Sequence, residues 1–138
     1  MFEYHGWVTV RERADAEDEG ADFAVQQARL RRLVQGIEER AREVGGPSGL
    51  VDVRFVNGEA FLHLGGFRNH RDPQVPALFR EVGVRAPGSY GLLYVHDDED
   101  RAHADGFVVH RMVRGQVSVH ADAHLSPCVP VLEDPWTG

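Results

Sequence analysis

The sequence predicts a single α+β domain, in which a largely antiparallel sheet of about six strands carries two helices on one face, in the order β-α-β-β-α-β-β-β. Three observations support this fold class. Apolar and polar residues alternate on both sides of Asn57-Gly58, apolar residues recur at helical spacings over 22–44, and short links join most strands. Short links require antiparallel neighbours, and amphipathic helices must cover a sheet face. Because 138 residues fit one core, we expect 1–138 to be one domain.

A strand over 2–11 and a long helix over 22–44 are the first two elements. Alternation divides the strand residues between two faces. One face holds Tyr4, Val8 and Val10, and the other holds His5, Trp7 and Thr9. The helical stripe that should face the sheet consists of Phe23, Leu30, Val34, Ile37, Ala41 and Val44. Gly45-Gly46-Pro47 follows, as is typical of a helix end.

The clearest local signal is a hairpin centred on Asn57-Gly58. This pair between two alternating runs favours a two-residue turn, because both turn positions need a positive φ. The inward residues of the two strands are Val51, Val53, Phe55, Ala60, Leu62 and Leu64. Gly65-Gly66 is expected to close the second strand, and 67–71 to form a loop.

A short helix and three strands complete the domain. Asp72-Pro73 is typical of an N-cap followed by proline at the first helical position. The inward residues of this helix are Val75, Leu78, Phe79 and Val82. The strands are expected at about 89–96, 106–113 and 116–121, with Arg114-Gly115 as the last turn. The tail from Leu125 is expected to lie as a coil over the domain. The residues expected in the core are Val53, Phe55, Leu62, Leu30, Val34, Ile37, Leu78, Phe79, Leu93 and Val95.

Composition excludes several classes of function. The net charge is −7 and all fifteen basic residues are arginine, so the chain lacks the positive field that nonspecific nucleic-acid binding needs. No apolar run approaches the roughly 18 residues of a membrane helix. The N-terminal residues lack the apolar core of a secretory signal, and Cys128 is the only cysteine. We therefore expect a protein of a reducing cytoplasm, with neither nucleic acid nor membrane as its partner.

One pattern resembles a metal site. His120, Asp122 and His124 alternate, so on an extended strand their side chains would point the same way. With His96, these residues would suit a small metal-dependent hydrolase, which is the alternative function. Nothing nearby completes a known metal signature, and we expect no bound metal and no cofactor.

The chain also lacks a clear nucleophile. Cys128 lies between prolines with no adjacent base, and Ser89 in GSYG lacks the strand-to-helix turn of a hydrolase serine. We expect no catalytic residues and no enzymatic activity.

The most informative segment is a strand that runs directly into four carboxylates, Asp97, Asp98, Glu99 and Asp100. Adjacent acids repel one another and are not expected to be all paired within the protein, so they must face water, bind a cation or await a cationic partner. The calcium-loop pattern of alternating oxygen ligands with a sixth-position glycine is absent. A second acidic cluster consists of Asp15, Glu17, Asp18 and Glu19.

Several segments, taken together, resemble the immunity protein 7 family of bacterial polymorphic toxin systems. They extend in the family's order over nearly the whole chain. They are MFEYHGWVTVRE at the start, EDEG at 17–20, VNGEAFLHLGGFRNHR, PGSYGLLYVHDDED and LSPCVPVLED near the end. The resemblance implies a cytoplasmic protein that binds and neutralises a cognate toxin domain and has no catalysis of its own. Many such toxins are nucleases with basic grooves.

The resemblance directs attention to surfaces that could hold a toxin. An acidic inhibitor would be steered to a basic groove, so both acidic clusters are expected to contact the toxin. Trp7 and Trp136 are candidate aromatic anchors, with core or tail packing as the alternative for both. The sheet face with His5, Trp7 and Thr9 is the second candidate for the docking surface. The sequence leaves the toxin's identity and the oligomeric state open.

Overall fold

The computed structural model describes residues 1–13 and 22–125, which form six strands and two helices. The strands are β1 (Phe2–Val10), β2 (Leu50–Val56), β3 (Glu59–Arg68), β4 (Tyr90–Asp97), β5 (Val108–Val113) and β6 (Gln116–Ala121). The helices are α1 (Phe23–Gly45) and α2 (Gln74–Arg85). The element order and the α+β class agree with the sequence prediction.

All six strands belong to one antiparallel sheet in the order β2-β3-β1-β4-β5-β6. β1 lies between β3 and β4, so that Tyr4 is opposite Gly66 on one side and Val95 on the other. Side chains of both helices belong to the same core as the inward side chains of the sheet. Both helices therefore lie on one face of the sheet, as predicted.

The two tight turns have the geometry that their residues favour. Asn57 and Gly58 have φ values of 50° and 82°, and Arg114 and Gly115 have values of 50° and 72°. Positive φ at both central positions matches the twist of the flanking strands. Both predicted hairpins are confirmed.

The ends of the helices are capped by neighbouring polar groups. The Asp22 carboxylate accepts a hydrogen bond from the Ala24 N–H at 2.9 Å, and the Gly46 N–H donates to the Arg42 carbonyl at the other end of α1. At α2 the Asp72 carboxylate accepts from the Gln74 N–H at 3.0 Å. Asp72 therefore caps α2 as predicted, although the helix begins at Gln74, one residue after the proline.

Two residues predicted to face inward are exposed: Phe55, which was expected in the core, and Phe23, which belongs to the predicted apolar stripe of α1. Phe23 is 63% exposed. Gln27, one turn later in α1, already lies beside Gly58 in the turn of the first hairpin, so the first turn of the helix extends past the end of that hairpin. Phe55 is 39% exposed because β2 is an edge strand. The Arg31 guanidinium covers its ring at 5.3 Å.

The second strand of the first hairpin is longer than predicted. Gly65-Gly66 does not close it, and pairing with β1 continues to Arg68. The ring of Tyr4 occupies the space that a side chain at Gly66 would need. This glycine allows the ring to pack on the strand and does not end it.

The helices of the described residues are all too short or too polar to span a membrane.

We predict that Ile37→Ala lowers the free energy of unfolding by about 2–5 kcal/mol, because Ile37 is 1% exposed and its removal leaves a cavity. Chemical denaturation at neutral pH measures this change. Gln35→Ala is the control, since Gln35 is exposed on the same helix and should change stability by less than about 0.5 kcal/mol. Equal effects of the two substitutions would contradict the packing described here.

Candidate functional site

The acidic loop, defined here as residues 97–106, begins at the last residue of β4, and its side chains form hydrogen bonds with its own backbone. The Asp97 carboxylate accepts from the Glu99 N–H at 3.0 Å, and the Asp100 carboxylate accepts from the Ala102 N–H at 3.2 Å. Two further backbone bonds, from Asp100 to Asp97 and from His103 to Asp100, fold the loop into successive turns. Asp97 and Asp100 therefore fix the shape of the loop.

The remaining carboxylate contacts come from outside the turns or from histidines. Asp98 accepts from the amino group of Met1 at 2.7 Å, and this bond lowers the pKa of Asp98 and raises that of the amine. A Glu99 oxygen lies 2.8 Å from Nδ1 of His70, and an Asp100 oxygen lies 3.2 Å from Nδ1 of His103.

Every carboxylate of the four thus has a partner within the chain. The expectation that adjacent acids cannot all be paired is wrong. Each carboxylate has its own partner, which is the terminal amine, a histidine or a backbone N–H group. Asp98, Glu99 and Asp100 nevertheless keep about half of their side-chain surface in water. The loop is an exposed and negatively charged surface that is held by its own hydrogen bonds.

His96 anchors the base of the acidic loop. Its side chain is buried, its Nε2 lies 2.7 Å from the Ala104 carbonyl oxygen, and its ring packs against Phe107. Its Nδ1 is buried without a hydrogen-bond partner. The bond to Ala104 assigns the N–H to Nε2, which makes His96 a structural residue of the loop. The sequence carried no signal for this role.

A half-open cleft of about 200 Å³ adjoins the acidic loop on the helix side of the sheet. Its apolar lining comes from Phe2, Val95, Val108 and Val119, and its polar lining from Arg71, Asp72, Asp97, Asp100, His103 and His110. Nδ1 of His110 is buried without a partner. Burial, and to a smaller extent the positive charge of Arg80, lower the pKa of His110.

The other face of the sheet, here called the open face, is not covered by a helix within residues 1–13 and 22–125. Trp7 lies near its centre and is 37% exposed, so the core-packing alternative for this tryptophan is wrong. Its ring meets that of Tyr90 edge to face, with centroids 6.2 Å apart. Thr9 shares the open face but is buried.

The family model described as Immunity protein 7 matches residues 1–134. The chain belongs to the immunity protein 7 family. Comparisons with curated proteins and with solved structures gave no match. The resemblance seen in the sequence is confirmed, and membership makes the chain an immunity protein with a toxin protein as its partner. The family match suggests the role of an inhibitor.

The residues proposed for a metal site in this immunity protein do not form one strand face. β6 ends at Ala121, so the alternation does not continue to Asp122 and His124. His120 contacts Ser118, and the Asp122 carboxylate accepts from the Leu125 N–H. Within the described part of the chain, no three histidine, cysteine or acidic side chains are placed to hold a metal ion together.

Several predicted residues have other positions or are not described. Ser89 is buried, and its hydroxyl accepts from the Arg11 N–H, so it fixes the start of β4. The second acidic cluster, the tail, Cys128 and Trp136 lie outside the described residues. Of the predicted toxin-binding residues, only Asp97, Asp98, Glu99 and Asp100 can be located, and all four lie in the acidic loop.

We predict that His110→Gln reduces the loss of stability of the immunity protein at acidic pH. The folded-state pKa of His110 is below 6.5, so as the pH falls below 6.5 the unfolded chain takes up a proton first. The contribution of His110 to the stability of the folded protein is complete above pH 6.5, and it is lost as the pH falls towards the folded-state pKa of His110. Urea denaturation of both proteins at pH 7.5 and 5.5 measures the difference.

Glutamine keeps a polar side chain but does not titrate, and His103 and the cleft carboxylates are the same in both proteins. Their contributions therefore cancel in the comparison. An identical pH dependence for both proteins would contradict the assignment to His110.

Proposed function

We propose that this immunity protein acts in the cytoplasm, where it binds the toxin domain of its own polymorphic toxin system and blocks its activity. The family match over residues 1–134 carries the proposal. The protein would act as one non-catalytic domain over 1–138, without metal or cofactor. Its partner would be a protein, neither nucleic acid nor membrane, in keeping with its net charge of −7.

The acidic loop is the first contact surface in this proposal. A nuclease toxin needs a basic groove for phosphate, and an exposed acidic surface would be attracted to that groove and compete with its substrate. The loop is held by its own hydrogen bonds, so little conformational entropy would be lost when it docks.

The four acids would have different roles. Glu99 is the most direct candidate for a toxin contact. Its carboxylate is hydrogen-bonded to the exposed His70, whereas the other three acids are bonded to the loop backbone or to the Met1 amine. Asp97 and Asp100 would keep the loop in shape, and Asp98 would share its charge with the Met1 amine. The cluster of Asp15, Glu17, Asp18 and Glu19 is proposed as a second acidic contribution on its sequence alone.

Inhibition is the first test of this function. The toxin domain encoded in the adjacent reading frame should lose its activity when one equivalent of the immunity protein is added, and cells that express the toxin should survive when they also express the immunity protein. Full toxin activity at a large molar excess of folded immunity protein would disprove the proposal.

We predict that Glu99→Lys lowers the association rate constant with this toxin domain by roughly tenfold at low salt, at the lower end of the range for electrostatic steering. Surface plasmon resonance over a series of salt concentrations measures the effect. Added salt should slow the wild-type association and reduce the difference between the two proteins.

Glu39→Lys is the matched control. Glu39 is exposed on α1, and its replacement changes the net charge by the same amount as Glu99→Lys. Steering by the loop requires a clearly smaller effect at position 39. Equal rates for the two variants would remove the acidic loop from the interface and leave only an effect of the net charge.

A further inference from the structure

The central strands of the open face carry several large apolar side chains, of which Trp7, Phe67 and Tyr90 are exposed. The aromatic patch, as we call it, consists of Trp7, Phe61, Phe67, Tyr90, Leu92 and Tyr94. Strand register brings most of these side chains together, because cross-strand partners lie on the same side of a sheet. Phe67 lies towards one end of the face, opposite Glu3. Trp7 is opposite Leu92, and Thr9 beside it is opposite both Phe61 and Tyr90. Soluble proteins rarely expose such a surface without a use for it.

Charged and polar groups border the aromatic patch, and Arg111 of β5 lies opposite Leu92. Glu3 lies 2.7 Å from His5, Arg11 lies 2.8 Å from Glu59, and Arg54 lies 3.0 Å from Asp52. The patch itself contains no charged side chain. An apolar, aromatic centre with a polar rim is the usual composition of a protein-binding surface.

The aromatic patch and the acidic loop adjoin each other. Phe107, just after the loop, packs edge to face against Tyr94 of the patch, with ring centroids 6.1 Å apart. The same ring contacts His96, which anchors the loop. One partner could therefore cover both surfaces without a gap between them.

The dimensions of the open face suit a single protein partner. The six strands have six to ten residues each, so the face spans about 25 Å across the strands and at least about 20 Å along them, which gives an area of at least about 500 Å². A stable interface buries about 800 Å² on each partner, so the open face supplies most of that area and the acidic loop can supply the rest. A second copy of the chain is disfavoured as the occupant, because it would bring a charge of −7 against a charge of −7.

We propose that the aromatic patch is the main docking surface for the toxin and that the acidic loop forms one border of that interface. This proposal rests on the proposed function and specifies the partner's chemistry. The toxin surface would have an apolar centre that covers Trp7 and Tyr90, with basic residues on the side that faces Glu99.

The test measures association and dissociation rates of the full-length chain with the catalytically inactive toxin domain from the adjacent reading frame. Phe67→Ala should raise the dissociation rate at least about fivefold, and Trp7→Ala at least about 30-fold, as for a residue at the centre of an interface. Apolar contacts act at short range, so the association rates should change little.

Phe23→Ala is the matched control. Phe23 and Phe67 are 63% and 65% exposed, so their removal should affect stability alike, but Phe23 lies on α1 and away from the open face. Thermal unfolding of each variant, Trp7→Ala included, verifies that it is folded. Wild-type dissociation rates for folded Phe67→Ala and Trp7→Ala would overturn the proposal. If Glu99→Lys still slowed association, the proposed function would stand, whereas wild-type protein that does not bind would overturn that function itself.

Two further measurements test whether the aromatic patch is covered by the chain's own tail or by a second copy of the chain. Trp7 is the only tryptophan of a Trp136→Phe variant, so acrylamide quenching of its fluorescence reports its exposure. Equal quenching in this variant and in a chain that ends at Leu125 supports a patch that is open to a partner. Stronger quenching in the shorter chain would mean that the chain's own tail covers the patch. A wild-type dimer in sedimentation that Phe67→Ala dissociates would assign the patch to self-association, and either result would overturn the proposal.

Discussion

The sheet depends on the insertion of β1 between β3 and β4. β1 pairs with both neighbours along almost its whole length, and within the described sheet it connects the half with β2 and β3 to the half with β4, β5 and β6. The chain must therefore bring its first strand between two strands that α2 links in sequence. The two faces of β1 have different environments, since Tyr4 and Val8 lie in the core while Trp7 lies on the open face.

Local chemistry explains which parts of the fold were predictable. Asn57-Gly58 and Arg114-Gly115 specify their turns by their own backbone preferences, and the stripe of α1 follows from spacing alone. The errors concern residues whose environment is set by distant parts of the chain. Gly66 is inside a strand because of the ring of Tyr4, and Phe55 is exposed because β2 is at the edge of the sheet that residues 1–13 and 22–125 form.

The candidate site was predictable only in part, for the same physical reason. The sequence identifies the acids of the loop, but their partners come from elsewhere: the Met1 amine is 97 residues from Asp98, and His70 is 29 residues from Glu99. The aromatic patch was harder to find, since its residues come from β1, β3 and β4 and only the strand register brings them together. Trp7 and its face were visible in the sequence, whereas the extent of the patch was not.

The sizes of the interaction free energies assign different roles to the acidic loop and to the open face in the proposed complex. Exposed ion pairs contribute about 0–1 kcal/mol each, and the acids of the loop already have partners that a toxin would have to share or replace. A nanomolar complex needs about 12 kcal/mol. Burial of about 500 Å² of wholly apolar surface would correspond to about 12 kcal/mol before the cost of association is subtracted, and the aromatic patch, which covers only part of the open face, contributes less than this limit. The acidic loop is therefore suited to set the rate of encounter and its orientation, while most of the affinity must come from the open face.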